Sequence, residues 1–333
     1  MEKVLQYRAS IYGLMALWII IFHIQGHADV PLPFICQYIN KPIRYIIGLG
    51  NVGVDVFMFL SAYCLTLSFG KYIKVMDFYK KRIIRLVIPY LLIATPFLIW
   101  KNLHSDSFNL VGFLKNFVCD LAGISFIHSG MDWTWFVFAI LLLYAVFPLL
   151  YKICKKGLGI SAALFIITLV LICFFYTYIP NNIVSHRFAI AYCRIPIFLI
   201  GIICAFYLNK INKEWHRPFI CIILSVLLYL GIYSLSKFYP TLYENIFEGR
   251  IWLRFIPYVL PICYLCGWLF EKLPKLTLIN KLGEVSLELY LIHILILNLL
   301  KHYHYCELLG GWCYLIVPFI TIVISFGLHK IVK

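Results

Sequence analysis

The sequence predicts an all-α integral membrane protein, a polytopic bundle of about ten transmembrane helices with both termini in the cytoplasm. Hydrophobic residues make up 63% of the 333 residues and charged residues only 13%, with a mean hydropathy of +0.91. A soluble domain carries roughly 25% charged residues. Apolar runs of the roughly 20 residues that a membrane helix needs recur along the chain. Lysine and arginine are concentrated in alternate loops between these runs.

Ten apolar runs are the candidate transmembrane helices. They cover residues 10–25, 47–69, 83–100, 134–151, 158–179, 190–208, 218–236, 252–270, 284–300 and 312–330. The segments between them are short and rich in the residues typical of loops. We therefore expect a single transmembrane domain over residues 1–333 with no attached soluble domain. No small-residue cleavage site follows the first run, so it is interpreted as a retained helix rather than a signal peptide.

The net charge of +15 is explained by membrane topology. With the N-terminus inside, the clusters of Lys and Arg fall on the inner side of the membrane at each alternate loop. This predicts a multi-pass protein of the cell (plasma or inner) membrane, in contact with membrane lipids. A nucleic-acid-binding protein gathers its basic residues on one solvated patch, so no nucleic-acid partner is expected. Most of the twelve cysteines lie inside apolar runs and are interpreted as small hydrophobic residues.

Three ionisable side chains are expected within the membrane. At 1.5 Å per residue, His23 lies about 20 Å and His293 about 15 Å from the inner face, and Asp55 lies about 10 Å below the outer face. Ionisable groups in hydrocarbon are costly and mark candidate functional sites. A neutral histidine can accept a proton from a hydroxyl, and a nearby carboxylate can hold and polarise it. The alternative is that the histidines are packed core residues and that Asp55 braces a neighbouring helix.

A basic cluster lies at the inner end of the third predicted helix. Arg82 and Arg85 are three residues apart and share a helix face, and Lys81 lies beside them. The planar guanidinium group pairs well with phosphate, so the cluster is a candidate anion site. Positive-inside topology or lipid headgroup contact would explain the same residues.

Other signals are weaker. His302, His304, Cys306 and Glu307 form a compact cluster in a predicted outer loop, but no second set of ligands accompanies it and no metal is expected. Arg194 lies at the outer end of its predicted helix and is either an interfacial anchor or a contact for an acceptor.

Six motifs together resemble the membrane-bound acyltransferase-3 family, whose members acylate sugars of surface polysaccharides, peptidoglycan, antibiotics and lipids. They are RASIYGLMALWIIIFH (8–23), GNVGVDVFMFLS (50–61), FYKKRIIRLVIP (78–89), WTWF (133–136), RIPIFLIG (194–201) and LGEVSLELYLIH (282–293). They occur in the family's order over nearly the whole chain. Two departures stand out: the first helix has Ala9 and Tyr12 where the family carries an Asp and an Arg, and Glu288 replaces a small residue.

The resemblance implies transfer of an acyl group, usually acetyl, from cytoplasmic acyl-CoA to a hydroxyl of a cell-surface or lipid-linked saccharide. His23 is then the catalytic base or acyl carrier, with Asp55 or His293 orienting it or stabilising developing charge. The phosphates of acetyl-CoA, or of another acyl-CoA, would bind Arg82, Arg85 and Lys81. The residues expected to bind substrate are Trp133, Trp135, Arg194, Ser286 and Tyr290.

Two further functions are consistent with the sequence. One is a transporter or flippase of a lipid-linked saccharide, although the halves show no internal repeat and no matching pair of broken helices. The other is a structural role in organising enzymes of surface-polymer assembly. A separate enzyme of that assembly is also a possible partner of the acyltransferase. Dependence on acyl-CoA separates the acyltransferase from both alternatives.

Overall fold

The structure is a computed structural model. It describes residues 1–28, 37–71, 74–103, 110–123, 134–178, 190–208, 253, 255–273 and 277–332, with scattered positions between 223 and 240. Within these ranges the chain forms helices joined by turns and bends, and no strand. The predicted all-α membrane class is confirmed in this part of the chain.

The helices with continuous bounds are, in chain order, α1 (Glu2–Gln6), α2 (Arg8–Ala28), α3 (Gln37–Gly48), α4 (Val52–Phe69), α5 (Val75–Leu103), α6 (Leu110–Leu121), α7 (Trp135–Cys154), α8 (Leu158–Tyr178), α9 (Ile195–Ile203), α10 (Ile256–Lys272), α11 (Thr277–Glu284), α12 (Ser286–His302), α13 (Tyr305–Leu309) and α14 (Cys313–Val332). Short 3-10 turns connect α3 to α4 (Leu49–Asn51) and α13 to α14 (Gly310–Trp312), and a π-helical segment (Cys204–Leu208) extends α9.

Six stretches of the described chain are long and apolar enough to cross a membrane. They are Arg8–Gly26, Lys41–Phe69, Val75–Lys101, Trp135–Cys154, Ile190–Leu208 and Tyr305–Ile331. The pair α11 and α12, bent by 77°, would make a seventh span, and α8 contributes a shorter apolar helix (Leu158–Phe174). The predicted run 218–236 lies largely outside the described residues. The total of ten helices and the cytoplasmic termini stay predictions.

The chain separates into two compact units. Unit 1 comprises Met1–Leu5, Asp55–Ile84 and Ala122–Trp268, and unit 2 comprises Gln6–Val54, Arg85–Leu121 and Leu269–Lys333.

Helix α2 is the centre of unit 2 and packs against α11, α12 and α14. Its contact with α11 is so close that backbone meets backbone. A Cβ on Gly13 would lie 2.2 Å from Ile279 O, and a Cβ on Gly283 would lie 1.8 Å from Ala9 O. Such distances exclude any larger side chain, so glycine is required at both positions. The two glycines thereby fix where α11 lies along α2.

The break between α11 and α12 falls at Val285, where the helix axis turns by 77°. The carbonyl of Val285 accepts the backbone N–H of Leu289 at 2.9 Å, so α12 begins a new run of hydrogen bonds here. The sequence predicts a plain helix over 284–300, and the break is an additional finding. Because α11 is held against α2 before the break, the start of α12 is also held.

Unit 1 is built on aromatic and small-residue packing among α4, α7, α8 and α9. Phe69 and Phe147 meet edge to face at 5.2 Å between ring centroids, and Phe78 stacks on Phe147 at 5.4 Å. Gly201 of α9 lies against the backbone of α4, where a Cβ would be 2.5 Å from Phe59 O. This packing brings the ends of three helices together at the ion pair described below.

Candidate active site

Two histidines of unit 2 meet where α2 and α12 pack together. His23 lies in α2, 15 residues after its first residue, and His293 lies in α12, seven residues after its first residue. His293 Nε2 is 3.1 Å from His23 Nδ1. The His293 side chain is fully buried, whereas His23 is half-buried. The two histidines that the sequence predicts as a functional group are therefore in direct contact.

Backbone carbonyls determine which ring nitrogens carry protons. His23 Nδ1 lies 3.0 Å from Ile19 O, and His293 Nδ1 lies 2.9 Å from Leu289 O. A carbonyl oxygen only accepts hydrogen bonds, so a proton on each Nδ1 is the assignment that satisfies both contacts. In neutral rings both Nε2 atoms then carry lone pairs. The single His23 Nδ1–H is then shared between Ile19 O and His293 Nε2 as a bifurcated hydrogen bond.

This arrangement assigns different roles to the two rings. The lone pair of His293 Nε2 is used inside the pair, whereas Nε2 of His23 takes no part in the His23–His293 hydrogen bond. If His23 takes up a proton there, its Nδ1–H becomes a stronger donor to His293, which stabilises the charged ring. The geometry therefore suits His23 as a base and His293 as the residue that positions it.

Aromatic rings surround the pair and restrict its rotation. Phe22 meets the His23 ring edge to face at 5.0 Å between centroids, and Tyr290 meets the His293 ring in the same way at 5.7 Å. Tyr290 is one of the predicted substrate-binding residues and is itself buried. It contacts the positioning histidine from within α12.

A second buried polar group lies in unit 1, at the ends of three helices. Asp55 is in the first turn of α4, Arg194 precedes the first residue of α9, and Trp135 is the first residue of α7. Arg194 Nε is 3.0 Å from Asp55 Oδ1, and both side chains are fully buried. The two opposite charges attract each other at this distance.

Two further contacts hold the guanidinium group in place. Arg194 Cζ lies 4.6 Å from the Trp135 ring centroid, a cation–π contact, and Nη1 donates to Ile190 O at 2.5 Å. The charge of each partner is balanced by the other, which a buried ion pair requires. Three residues predicted as catalytic or substrate-binding are thus joined to one another.

Residues 13–330, nearly the whole chain, match the family model of the acyltransferase domain of acyltransferase family 3. The chain belongs to the membrane-bound acyltransferase-3 family. Comparisons with curated proteins and with solved structures give no match. The resemblance seen in the sequence motifs is confirmed. The protein is a multi-pass membrane acyltransferase that moves an acyl group from a donor to an acceptor.

The basic residues of the acyltransferase lie near the start of α5. Lys81 and Arg85 are exposed, and Arg82 is half-buried. Arg82 Cζ lies 5.8 Å from the Phe78 ring centroid, and Phe78 is fully buried. This contact holds the stem of Arg82 against the helix while Lys81 and Arg85 stay accessible. Their predicted role in donor binding stays a prediction.

Two other residues predicted to bind substrate are Ser286 and Trp133. Ser286 is the first residue of α12 and is half-buried. Trp133 lies outside the described residues.

His302, from the cluster considered for metal binding, makes ring contacts with Trp100 and Tyr303. Within the described ranges, no group of three His, Cys, Asp or Glu residues is placed to hold a metal ion.

Several polar contacts of the acyltransferase were not expected from the sequence, and two of them involve side chains of the motifs given above. In unit 1, the hydroxyls of Ser61 and Tyr144 are 2.5 Å apart. In unit 2, His329 Nδ1 lies 2.7 Å from Glu288 Oε1. Glu288 was noted only as a departure from the family pattern, and nothing in the sequence links it to a residue 41 positions away.

Proposed function

We propose that this acyltransferase moves an acetyl group, or a related short acyl group, from cytoplasmic acyl-CoA to a hydroxyl of a cell-surface or lipid-linked saccharide. The observation that carries the proposal is the His23–His293 contact. It holds the imidazole of His23 against that of His293 inside a chain that belongs to an acyltransferase family. Activation of a hydroxyl by a general base is the chemistry such a group supports.

In the proposed reaction His23 Nε2 takes the proton of the acceptor hydroxyl. The hydroxyl oxygen attacks the thioester carbonyl, and the carbon–sulfur bond breaks. His23 then returns the proton to the leaving thiolate of CoA, so no net proton is gained or lost. In the alternative order His23 Nε2 attacks the thioester carbonyl, the carbon–sulfur bond breaks and CoA leaves as the thiolate. The acceptor oxygen then takes the acyl group from Nε2, and the proton of its hydroxyl neutralises the thiolate. In both orders His293 positions His23 through the Nδ1–H.

Donor binding is assigned to the basic residues of α5. Arg82, Arg85 and Lys81 would hold the phosphates of CoA, since guanidinium and ammonium groups suit phosphate oxygens. Because the sequence places them at the cytoplasmic end of their helix, the donor would approach His23 from the cytoplasm.

The ion pair of unit 1 is assigned a supporting role. Asp55 and Arg194 neutralise each other, and Trp135 covers the guanidinium face. We assign Asp55 to positioning Arg194, with Arg194 and Trp135 bordering the acceptor.

The test is acyl transfer by purified protein in lipid vesicles, with acetyl-CoA labelled in the acetyl group. Wild type should hydrolyse or transfer the thioester, His23→Ala should lose the activity while folded, and Arg82→Ala should raise the KM for acetyl-CoA. His302→Gln is the matched control, because this exposed histidine lies in the same helix as His293. A wild type that neither binds nor consumes acyl-CoA would contradict the proposal and favour the transporter alternative.

A further inference from the structure

The further inference concerns the buried polar cluster of unit 2 formed by Glu288, His329 and Ser325. Glu288 lies in the first turn of α12 and is 4% exposed, and His329 lies in the last turn of α14. Their side chains are 2.7 Å apart, from Glu288 Oε1 to His329 Nδ1. Ser325 is fully buried one helical turn before His329. Glu288 and His329 meet between α12 and α14, and Ser325, four residues before His329, shares its face of α14.

Two atoms of this cluster have hydrogen-bonding capacity that no described residue uses. Ser325 Oγ and His329 Nε2 are both buried and have no hydrogen-bond partner within the described ranges. Thr321, one turn before Ser325, is different, because its hydroxyl donates to Val317 O at 2.6 Å. A buried polar group without a partner costs about 1–3 kcal/mol, so a partner is expected at the cluster.

The hydrogen-bond donors and acceptors of the cluster indicate which chemical group would bind there. The Glu288 carboxylate only accepts, so His329 Nδ1 carries the proton and a neutral His329 presents Nε2 as an acceptor. Ser325 presents a hydroxyl donor. Residues four apart on a helix are about 5–6 Å apart at their Cβ atoms. An acceptor and a donor at this spacing suit the N–H and C=O of an amide, and the nearby carboxylate disfavours phosphate.

We propose that this cluster binds an amide of the pantetheine arm of the acyl donor. The inference rests on the proposed function, in which the donor's phosphates stay near the cytoplasm and its thioester reaches His23. The pantetheine arm, which joins the phosphates to the thioester, is uncharged and contains two amide groups. Glu288 and His293 lie on the same helix, five residues or about 7.5 Å apart along its axis. The cluster thus lies between the first turn of α12 and the last turns of α14, about one and a half helical turns before His293.

The experiment compares three acetyl donors on wild type, Ser325→Ala and the control Thr321→Val. The donors are acetyl-CoA, S-acetyl-N-acetylcysteamine, which keeps only the amide nearer the sulfur, and S-acetyl-propanethiol, which has no amide. Ser325→Ala should raise the KM about five- to tenfold for acetyl-CoA, the loss of one hydrogen bond. The KM for S-acetyl-propanethiol should not change. Thr321→Val should match wild type with every donor, because its hydroxyl is satisfied within α14.

The response to S-acetyl-N-acetylcysteamine identifies which amide is bound. A raised KM in Ser325→Ala assigns the nearer amide, and an unchanged KM, with the acetyl-CoA effect present, assigns the farther one. If Ser325→Ala is unstable, Ser325→Cys gives the same comparison, because it keeps the volume and replaces the hydroxyl by a weak donor.

Other results overturn the inference. Unchanged kinetics of Ser325→Ala with all donors would mean that water alone satisfies the cluster, and an equal KM rise for the amide-free donor would mean a structural role. In both cases wild-type turnover of acetyl-CoA shows that the proposed function survives. A wild type that consumes none of the three donors would overturn the proposed function and the inference together.

Discussion

Two of the polar pairs in the described part of the chain differ in the chemistry that they suit. In unit 1, Asp55 and Arg194 are formal charges that neutralise each other, and the guanidinium is also held by Trp135 and a backbone carbonyl. In unit 2, two titratable imidazoles, His23 and His293, meet through a hydrogen bond between ring nitrogens, and each Nδ1 also contacts a backbone carbonyl. Two opposite charges that neutralise each other suit holding helices together. Two imidazoles, which can take up and release a proton near neutral pH, suit proton transfer.

The largest expected effect comes from removing one charge of the unit 1 pair. Arg194→Leu or Asp55→Leu leaves a buried charge alone, and we expect the free energy of unfolding to fall by about 3–5 kcal/mol. Thermal unfolding in detergent measures the loss. The double variant Asp55→Leu/Arg194→Leu should recover much of it. A double variant no more stable than the single variants would contradict the account in which the two charges stabilise the fold by neutralising each other.

The next effect is on the histidine pair. His293→Ala removes one of the two acceptors of the His23 Nδ1–H, so we expect kcat to fall about 10- to 100-fold, less than the roughly 10²- to 10⁴-fold of general base catalysis itself, with the KM for acyl-CoA unchanged. His293→Gln provides a side-chain carbonyl acceptor and should restore part of kcat. Steady-state kinetics of both variants in lipid measures this. An equal loss in both variants, accompanied by a raised KM, would indicate that His293 only packs.

A backbone contact connects packing to the histidine pair. Gly283→Ala places a Cβ against Ala9 O at 1.8 Å, so α11 must move from α2, at a cost of about 1–3 kcal/mol in the free energy of unfolding. Because α12 follows directly, the acyl-transfer rate should fall as well. Gly327→Ala in α14 is the matched control, since nothing lies within 4 Å of its Cβ. Thermal stability and transfer rate are measured for both, and equal behaviour would contradict the tight packing.

The smallest effect concerns the cation–π contact. Trp135→Phe keeps an aromatic ring with a weaker quadrupole, and we expect a loss of about 0.5–1 kcal/mol in the free energy of unfolding. In the Asp55→Leu/Arg194→Leu background the guanidinium is absent, so the cation–π part of that loss should disappear. Thermal unfolding of the four proteins forms the cycle. An identical loss in both backgrounds would mean that Trp135 contributes packing alone.

The membrane class and the histidine pair are predictable from the sequence for a physical reason. Ionisable groups are costly in hydrocarbon, so His23 and His293 stand out against apolar neighbours, and counting 1.5 Å per residue places them at compatible depths. The bend at Val285 is not predictable this way, because it depends on Gly283 meeting the backbone of Ala9, a contact between segments far apart in the chain.

The sequence also does not indicate which polar residues contact each other in the folded chain. Asp55 and Arg194 were each predicted as functional residues, yet no local pattern joins positions 139 residues apart. Glu288 and His329 are a similar case. Depth along a helix follows from residue counting, whereas rotation of one helix against another follows from packing. The sequence therefore indicates which polar residues matter better than it indicates which of them meet.

The most direct test of the account is the protonation of the His23 ring. Protein labelled with ¹⁵N-histidine in lipid vesicles is compared by solid-state NMR with the His23→Gln variant, so that the difference spectrum isolates this ring. The account predicts a protonated, pyrrole-type Nδ1 and an unprotonated, pyridine-type Nε2, with Nε2 becoming protonated only when the ring gains charge. An unprotonated Nδ1 with the proton on Nε2 would remove the basic nitrogen from the proposed position and contradict the central claim.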